Sequence, residues 1–506
     1  MQRLYNSVIF ANQILLMKKK FILNLILLLF LNVLVKPFYF FFIDRSVQNV
    51  VGVQEYGLYL SIFNFTFIIN ILLDMGIVNF NNRNVAQNAS FLEKNFSSIL
   101  SLRFLLGMVY ILIAFVIACF LGYESRQFYL LGILAINQFL LSLVLYLRSN
   151  ISGLLMFVTD SFLSILDKFL LIVFCSILLY SKLFTGVFRI EWFIYSQTLA
   201  YLVTAIVALI IVAKKAKFRK LTWDKAFFLS ILKQSLPYAT LTLVMSFYNR
   251  VDSVMLAQMI SGAEGQIQVG IYAHSYRLLE VLTNFSFLFS VLLLPLFSKM
   301  LANKEDVGSI VSIAFNLLTI FVLSFTAISW FYSYELMDLL YIDDITLSAK
   351  VCKILMLCLP GMSFGYIFGT LLTANGNLKH LNIIAITCMI LNFTLNLILI
   401  PKIQVVGAAI TGAITQSLVV ILQLIVIKHI FKYKLNGKII KTIIQLVVLI
   451  AVTIAFAYFA QYLNIAWYYK SALMIALIVV CSIALKMLNI SEFIKMFKSE
   501  KLNVEN

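Results

Sequence analysis

Long apolar stretches alternate with short polar segments along almost the whole chain. An apolar run of about 20 residues is long enough to cross a bilayer as an α-helix. The pattern therefore predicts an all-α polytopic membrane protein with about fourteen transmembrane helices. We expect these spans, in order, at residues 21–43, 59–78, 96–121, 128–147, 154–180, 193–213, 236–259, 270–300, 307–332, 349–373, 381–400, 405–427, 439–463 and 468–488.

A weak internal repeat divides this series of spans. Gly57-Leu58-Tyr59 is echoed by Gly270-Ile271-Tyr272, and residues 43–47 and 196–197 have similar counterparts in the same order. The repeat predicts two six-helix lobes, 1–213 and 234–427, joined by a basic cytoplasmic linker at 214–233. Lobes with an even number of helices share one topology, so a pseudo-two-fold axis along the membrane normal would relate them. Two extra helices in 428–488 and a cytoplasmic tail at 489–506 complete the expected organisation.

Composition and charge support a membrane protein and exclude several other classes. Apolar residues make up 62% of the chain and charged residues only 12%, which excludes an ordinary soluble globule. The net charge of +18 comes mainly from alternate loops, so it indicates cytoplasmic loops rather than nucleic-acid binding. Both termini are then predicted to be cytoplasmic. Every predicted loop is short, which argues against a soluble catalytic domain and therefore against an enzyme.

Neither a metal nor a cofactor is expected. The six cysteines fall within apolar runs and form no C-x-x-C pair, and the three histidines are scattered. The nucleotide-binding pattern G-x-x-x-x-G-K-[ST] does not occur. An ion or proton gradient is therefore the expected source of energy for any transport.

Charged residues inside the predicted spans are the candidates for function. An ionisable side chain in a spanning helix costs about 2.5–3.5 kcal/mol and usually has a task. In span 8, Arg277 shares a helical face with His274 and Glu280. Two interpretations are open: a buried ion pair that holds helices together, or a cationic lining for an anionic substrate, which we favour. Lys36, next to Pro37 in span 1, either lines the bundle interior or snorkels to an interface.

Several motifs resemble one family of transporters. Asp44-Arg45-Ser46, Asp74-Met75-Gly76 and Asn249-Arg250-Val251-Asp252 are similar to segments of polysaccharide flippases of the Wzx type. These flippases belong to the multidrug/oligosaccharidyl-lipid/polysaccharide exporter superfamily. The resemblance runs from about residue 21 to span 12, and spans 13 and 14 match the usual helix number of the family.

The resemblance implies a fold, a cargo and a location. The two lobes would surround a central cationic cavity that opens alternately to each side of a bacterial cytoplasmic (inner) membrane. The cargo would be an undecaprenyl-pyrophosphate-linked oligosaccharide repeat unit for O-antigen, capsule or exopolysaccharide assembly. Membrane lipids, this lipid-linked oligosaccharide and the polymerase and chain-length proteins of the same pathway would be partners.

The charged residues within the spans and the family resemblance together indicate roles for individual residues. The expected substrate-binding residues are Lys36, Arg277, Arg103 and Arg250. The expected gate or lobe-contact residues are Arg45, Asp252, Glu280 and His274. The candidates for ion coupling are Asp74, Asp160 and Asp167.

Three alternatives stay open at this point. A lipid II flippase would share the fold and the cationic cavity. A drug/cation antiporter of the same fold would need carboxylates without basic neighbours; Asp160 and Asp167 favour it, and Lys168 beside Asp167 weakens it. A membrane glycosyltransferase or polymerase would need a catalytic loop or a metal-binding D-x-D pattern, and the sequence shows neither.

Overall fold

The computed structural model describes residues 32, 34–181, 186–217, 220–260, 262–431 and 437–487, and within these ranges the secondary structure is helical. The first element, α1, is a π-helical stretch, Tyr39–Asp44, continued by the α-helical Arg45–Val51. The following helices are α2 (Val53–Ile68), α3 (Ile71–Asp74), α4 (Ile77–Gln87), α5 (Ser90–Phe120), α6 (Ser125–Gly153), α7 (Phe157–Tyr180), α8 (Ile190–Ala216), α9 (Lys225–Met259), α10 (Ala263–Ala302), α11 (Gly308–Phe331), α12 (Ser333–Leu340), α13 (Ile345–Leu355), α14 (Cys358–Ala374), α15 (Leu378–Ile430), α16 (Gly437–Ala460) and α17 (Trp467–Ala484).

The helix lengths and composition confirm the predicted class of all-α polytopic membrane protein. Within the described ranges, 11 helical segments are long and apolar enough to cross a membrane. One of them, α15, has 53 residues and would be about 80 Å long as a single helix, against a hydrocarbon core of about 30 Å. Its backbone is non-helical at Ile403 and Gln404, so it provides two spans that meet where spans 11 and 12 were predicted to meet.

Three parts of the prediction fall wholly or partly outside the described residues. Most of span 1 before residue 34 lies there, as do the end of span 14 and the predicted tail at 489–506. Helix α9, which corresponds to span 7, is not among the 11 segments; it carries Lys225, Lys233, Arg250 and Asp252 along its 35 residues.

The first span extends beyond its predicted end. Helical structure continues through Pro37 to Val51 instead of ending at residue 43. Proline lacks the N–H that an α-helical turn needs, and the chain adopts π-helical geometry directly after it, at Tyr39–Asp44. The helix ends at Gly52, whose φ of 82° and ψ of 164° suit glycine.

The second span is also interrupted, where one continuous helix was predicted for 59–78. Met75 and Gly76 adopt left-handed φ values of 46° and 79° between α3 and α4. The Asp74 carboxylate accepts a hydrogen bond from the Val78 backbone N–H at 3.1 Å and so caps the start of α4. The Asp74-Met75-Gly76 motif therefore forms a turn between helices rather than the middle of one.

The chain divides into two compact units, Met1–Ala273 and His274–Asn506, and the boundary lies inside α10. The start of α10 belongs to the first unit because it packs backbone to backbone against α2. A Cβ atom added to Gly57 would lie 1.8 Å from the Gln266 carbonyl oxygen, and one added to Gly270 would lie 2.0 Å from that of Val53. The predicted lobes, 1–213 and 234–427, stay a prediction.

Each unit has its own packed interior. In the first unit, a core of buried side chains joins α4 to α9 and includes Phe96, Tyr146 and Tyr201. In the second, Leu449 of α16 and Ile478 of α17 pack against α11, which is where the two extra C-terminal helices attach.

Candidate functional site

The charged side chains of the described spans fall into two groups. One group is buried in networks with carboxylates, backbone carbonyls or amides, and the other is partly accessible. The candidate residues chosen from the sequence are found in both groups.

Arg103 belongs to the fixed group. Its side chain, on α5, is 2% exposed, and its guanidinium donates to the Leu73 carbonyl at 2.7 Å, to the Ser142 hydroxyl at 3.1 Å and to the Asp74 carboxylate at 2.7 Å. It also lies over the Tyr146 ring, 5.1 Å from the centroid. Arg103 thus holds the interrupted second span against α5 and α6.

The three predicted ion-coupling carboxylates each lie near a basic side chain. Asp74 pairs with Arg103, as described above. Asp160 accepts from the Nε of Arg148 at 2.8 Å, and Asp167 lies 3.6 Å from the Nζ of Lys168. None of the three is thus the lone carboxylate that the antiporter alternative requires.

Arg250 and Asp252 connect helices within the first unit. The Arg250 guanidinium donates to the Asn64 side chain at 3.1 Å and lies 4.7 Å from the centre of the Phe67 ring, which ties α9 to α2. Asp252 is buried and accepts a hydrogen bond from the Tyr272 hydroxyl at 2.9 Å. Arg45 is half-buried at the start of the α-helical part of α1.

His274 has its own set of contacts, separate from those of Arg277, although the two residues are three positions apart on α10. The buried imidazole contacts the Ser348 hydroxyl at 2.8 Å and stacks on the Tyr341 ring at a centroid distance of 3.9 Å. The Tyr341 hydroxyl donates back to the His274 carbonyl at 3.2 Å. His274 therefore fixes α10 to the segment around the start of α13.

Arg277 is partly accessible and forms an ion pair with Glu280, which is one of the two interpretations that the sequence left open. Its guanidinium donates to the Glu280 carboxylate at 2.7 Å, with exposed fractions of 13% for Arg277 and 30% for Glu280. Asn284, one turn further, donates to the Glu280 carbonyl at 2.8 Å. Arg277, Glu280 and Asn284 thus form a polar stripe along α10, and the exposed apolar side chain of Phe287, seven residues after Glu280, continues it.

Lys36 is half-buried in the helical turn before α1. Leu34 and Phe38 are exposed and apolar. Each is two residues from Lys36, and two residues turn the helix by about 200°, so both lie on the opposite side from Lys36. Asn32, one turn earlier on the same face as Lys36, donates to the Ser164 hydroxyl of α7 at 3.2 Å. Lys36 therefore lies on the face that packs inward, not on the face of the exposed apolar residues.

Two further polar residues near α1 were not selected from the sequence. Asp44 is buried and accepts hydrogen bonds from the hydroxyls of Tyr39 and Tyr56 at 3.3 and 2.9 Å and from the Gln48 amide at 2.9 Å. Lys168 of α7 lies over the Tyr39 ring. Gln48 is one turn away from Asp44 on α1, but Tyr56 lies on α2, and the Tyr39 ring and Lys168 lie on different helices. No local sequence pattern could have shown these contacts between helices.

The sequence and the fold were compared with those of known proteins. A family model described as "Polysaccharide biosynthesis protein" matches residues 21–301, more than half of the 506-residue chain. A comparison with curated protein sequences gives no match. Because the solved structures described next are no more than 15% identical in sequence, their likeness shows the fold alone.

Three of these structures illustrate the likeness in fold. The lipid II flippase MurJ, in an inward closed conformation, gives a TM-score of 0.68 at 15% identity and covers 95% of this chain and 100% of its own. An inward-facing multidrug resistance MATE family transporter of the MOP superfamily gives 0.61 at 15% identity, covering 78% and 92%. A MOP superfamily transporter from Pyrococcus furiosus gives 0.55 at 14% identity, covering 81% and 95%.

Proposed function

Because this chain belongs to the polysaccharide biosynthesis protein family, we propose that it is a flippase for undecaprenyl-pyrophosphate-linked oligosaccharide repeat units. It has the fold of the MOP superfamily, and its neighbours in fold are flippases and transporters rather than enzymes. The cargo would pass from the cytoplasmic to the periplasmic leaflet of a bacterial inner membrane by alternating access, for surface polysaccharide assembly. Both chain termini would then be cytoplasmic, and a polymerase and chain-length proteins would act next on the cargo.

The observation that carries the proposal is the placement of Lys36 and Arg277. Arg277 lies in α10, one of the 11 long apolar helices, and Lys36 lies in the helical turn before α1, within predicted span 1. Both side chains are partly accessible, and Lys36 lies opposite the exposed apolar side chains of Leu34 and Phe38. A charge at such a depth costs about 2.5–3.5 kcal/mol, which favours a task for it. A pyrophosphate that crosses the hydrocarbon region needs compensating positive charge, and these two side chains supply it.

The two cations would contribute differently. Arginine presents a planar fork that binds two phosphate oxygens at once, and lysine acts as a flexible point charge. In the structure, the Arg277 fork is engaged by Glu280, so phosphate oxygens would have to displace or share that contact. Glu280 would then keep the guanidinium oriented and neutralised when no cargo is bound.

The other predicted cargo contacts carry less of the proposal. Arg103 is buried, and both terminal nitrogens of its guanidinium donate to groups inside the first unit; Arg250 is engaged by Asn64 and Phe67. Asp74, Asp160 and Asp167, each beside a basic side chain, remain proposed sites for coupling to an ion or proton gradient.

The test is lipid extraction from a strain that lacks the protein. We expect undecaprenyl-linked oligosaccharide to accumulate on the cytoplasmic leaflet, and expression of the wild-type chain, but not of an Arg277→Gln variant, to clear it. Sensitivity to drugs without such accumulation would instead support the antiporter. Arrested cell-wall synthesis with accumulation of lipid II would support the second candidate, a lipid II flippase, which the similarity in fold to MurJ favours.

A further inference from the structure

Lys168 lies on the inward stripe of α7. Large exposed side chains of this helix, Phe162, Phe169, Val173 and Ile177, recur at spacings of four or seven residues and define its outer face. Ser161, Ser164, Lys168, Leu171 and Cys175 form the opposite stripe, in which Ser161, Leu171 and Cys175 are buried. The 27% exposure of the Lys168 side chain is therefore exposure toward the interior of the first unit.

Two aromatic rings position the Lys168 ammonium group. Its Nζ lies 5.2 Å from the centre of the Tyr39 ring and 5.6 Å from the centre of the Tyr201 ring. The neighbouring Asp167 carboxylate is 3.6 Å away, beyond a normal hydrogen-bond distance. The Tyr201 side chain also hydrogen-bonds the ammonium group. Lysine has three N–H donors, and a ring attracts a cation without using them, so the ammonium can still donate to an incoming anion.

Lys36 belongs to the same helix–helix contact. Along the first span, Asn32 contacts Ser164 of α7 and Tyr39 contacts Lys168, one turn further along α7. Lys36 lies between Asn32 and Tyr39 on this face. Because one helical turn advances about 5.4 Å, the two lysines are placed about one turn apart along one seam between the two helices.

A neutral polar group lies beside this seam. The amide of Gln197, one turn before Tyr201 on α8, donates to the Tyr59 hydroxyl at 2.8 Å. Its Oε1 atom is buried and has no hydrogen-bond partner among the described residues. A buried acceptor without a partner is costly, and a donor group on a ligand, such as a sugar hydroxyl, would satisfy it.

We infer that Lys168 and Lys36 together bind the phosphate groups of a polyprenyl-pyrophosphate inside the first unit. This inference rests on the proposed function and adds a binding residue that the sequence did not select. Lys168 takes the part expected of Arg103, whose two terminal guanidinium nitrogens donate to protein groups. Tyr39 and Tyr201 are positioning residues, because they act on the cargo only through the ammonium group that they hold.

Ligand-induced stabilisation of the purified, full-length protein in detergent tests the inference. The probes are undecaprenyl pyrophosphate and, as the phosphate-free comparison, undecaprenol. We expect the pyrophosphate to stabilise the wild-type protein and Lys168→Gln to weaken its binding about tenfold or more, as loss of a charged hydrogen bond would. Lys168→Arg keeps the charge and is expected to bind within a few-fold of wild type.

The matched control is Lys353→Gln. Lys353 of α13 is also half-buried and lies 5.1 Å from the centre of an aromatic ring, that of Trp330, but it is in the second unit. The Lys353→Gln variant should bind undecaprenyl pyrophosphate as the wild-type protein does. Equal weakening by both substitutions would indicate a general electrostatic effect and would overturn the inference.

The outcomes separate this inference from the proposed function. Wild-type affinity of Lys168→Gln together with weakened binding by Lys36→Gln would overturn the role of Lys168 and leave the flippase assignment standing. A wild-type protein that does not distinguish the pyrophosphate from undecaprenol would contradict both. If Lys168→Gln does not fold, Tyr201→Leu replaces it: removal of one ring should weaken binding several-fold, and unchanged binding would overturn the inference.

Discussion

Substitution of Arg103 tests whether a charged residue inside a span is structural. In Arg103→Met, the guanidinium contacts with Leu73, Ser142 and Asp74 are lost from a site that is 2% exposed. Breaking a buried ion pair in this way costs about 3–5 kcal/mol. Asp74→Asn should fall at the upper end of this range because it leaves the buried cation without its counter-charge. Since the two residues contact each other, the double substitution should cost less than the sum of the single ones.

The measurement is equilibrium unfolding of the purified variants in mixed micelles, combined with binding of undecaprenyl pyrophosphate to the fraction that stays folded. Arg126→Met is the matched control, because Arg126 pairs with Glu55 and Glu191 but is 48% exposed. An exposed pair of this kind contributes less than about 1 kcal/mol. Wild-type stability of Arg103→Met together with a selective loss of cargo binding would refute the structural role and return Arg103 to the cargo site.

Two further substitutions test the packing of α10. Gly57→Ala would place a Cβ atom 1.8 Å from the Gln266 carbonyl oxygen, and we expect a loss of about 1–3 kcal/mol in unfolding free energy. The control is Gly132→Ala, whose Cβ atom would have its nearest neighbour 3.6 Å away and should not destabilise the protein. Equal effects of the two substitutions would contradict the close contact between α2 and α10. His274→Ala removes the contact with Ser348 and the stacking on Tyr341, so unfolding measurements should show a loss of about 1–3 kcal/mol with unchanged cargo affinity of the folded protein. A selective loss of affinity would contradict a packing role for His274.

The sequence predicts the fold well where hydrophobic length alone decides it. The interruption between spans 11 and 12 was correctly placed at residues 401–404, because Pro401 and polar neighbours separate two apolar runs. Prediction from the sequence fails where a turn lies inside an apolar run, as at Met75 and Gly76, because hydropathy does not show backbone conformation. The extension of the first helix to Val51 was missed for a similar reason: polar residues after 43 were interpreted as a loop, although they are helical.

The candidate site is predictable only in part. Sequence shows that Arg103, Lys36 and Arg277 lie within spans, but not which of them has its donors occupied by distant residues. Leu73 and Ser142, which engage Arg103, lie 30 and 39 residues away from it. Lys168 was judged only by its neighbour Asp167, whereas the rings that position it come from two other helices. Local spacing identified the Arg277–Glu280 pair because both members are on one helix.

The most direct test of the central claim is transport by the purified protein in proteoliposomes. The cargo would be a fluorescent undecaprenyl-pyrophosphate-linked oligosaccharide, and a membrane-impermeant quencher would report its movement between leaflets. We predict that the wild-type and Arg126→Met proteins move the cargo, and that Arg277→Gln and Lys36→Gln, folded and inserted normally, each move it at least about tenfold more slowly. Wild-type rates in both of these neutral variants would contradict the claim that cations inside the spans neutralise the phosphates of the cargo.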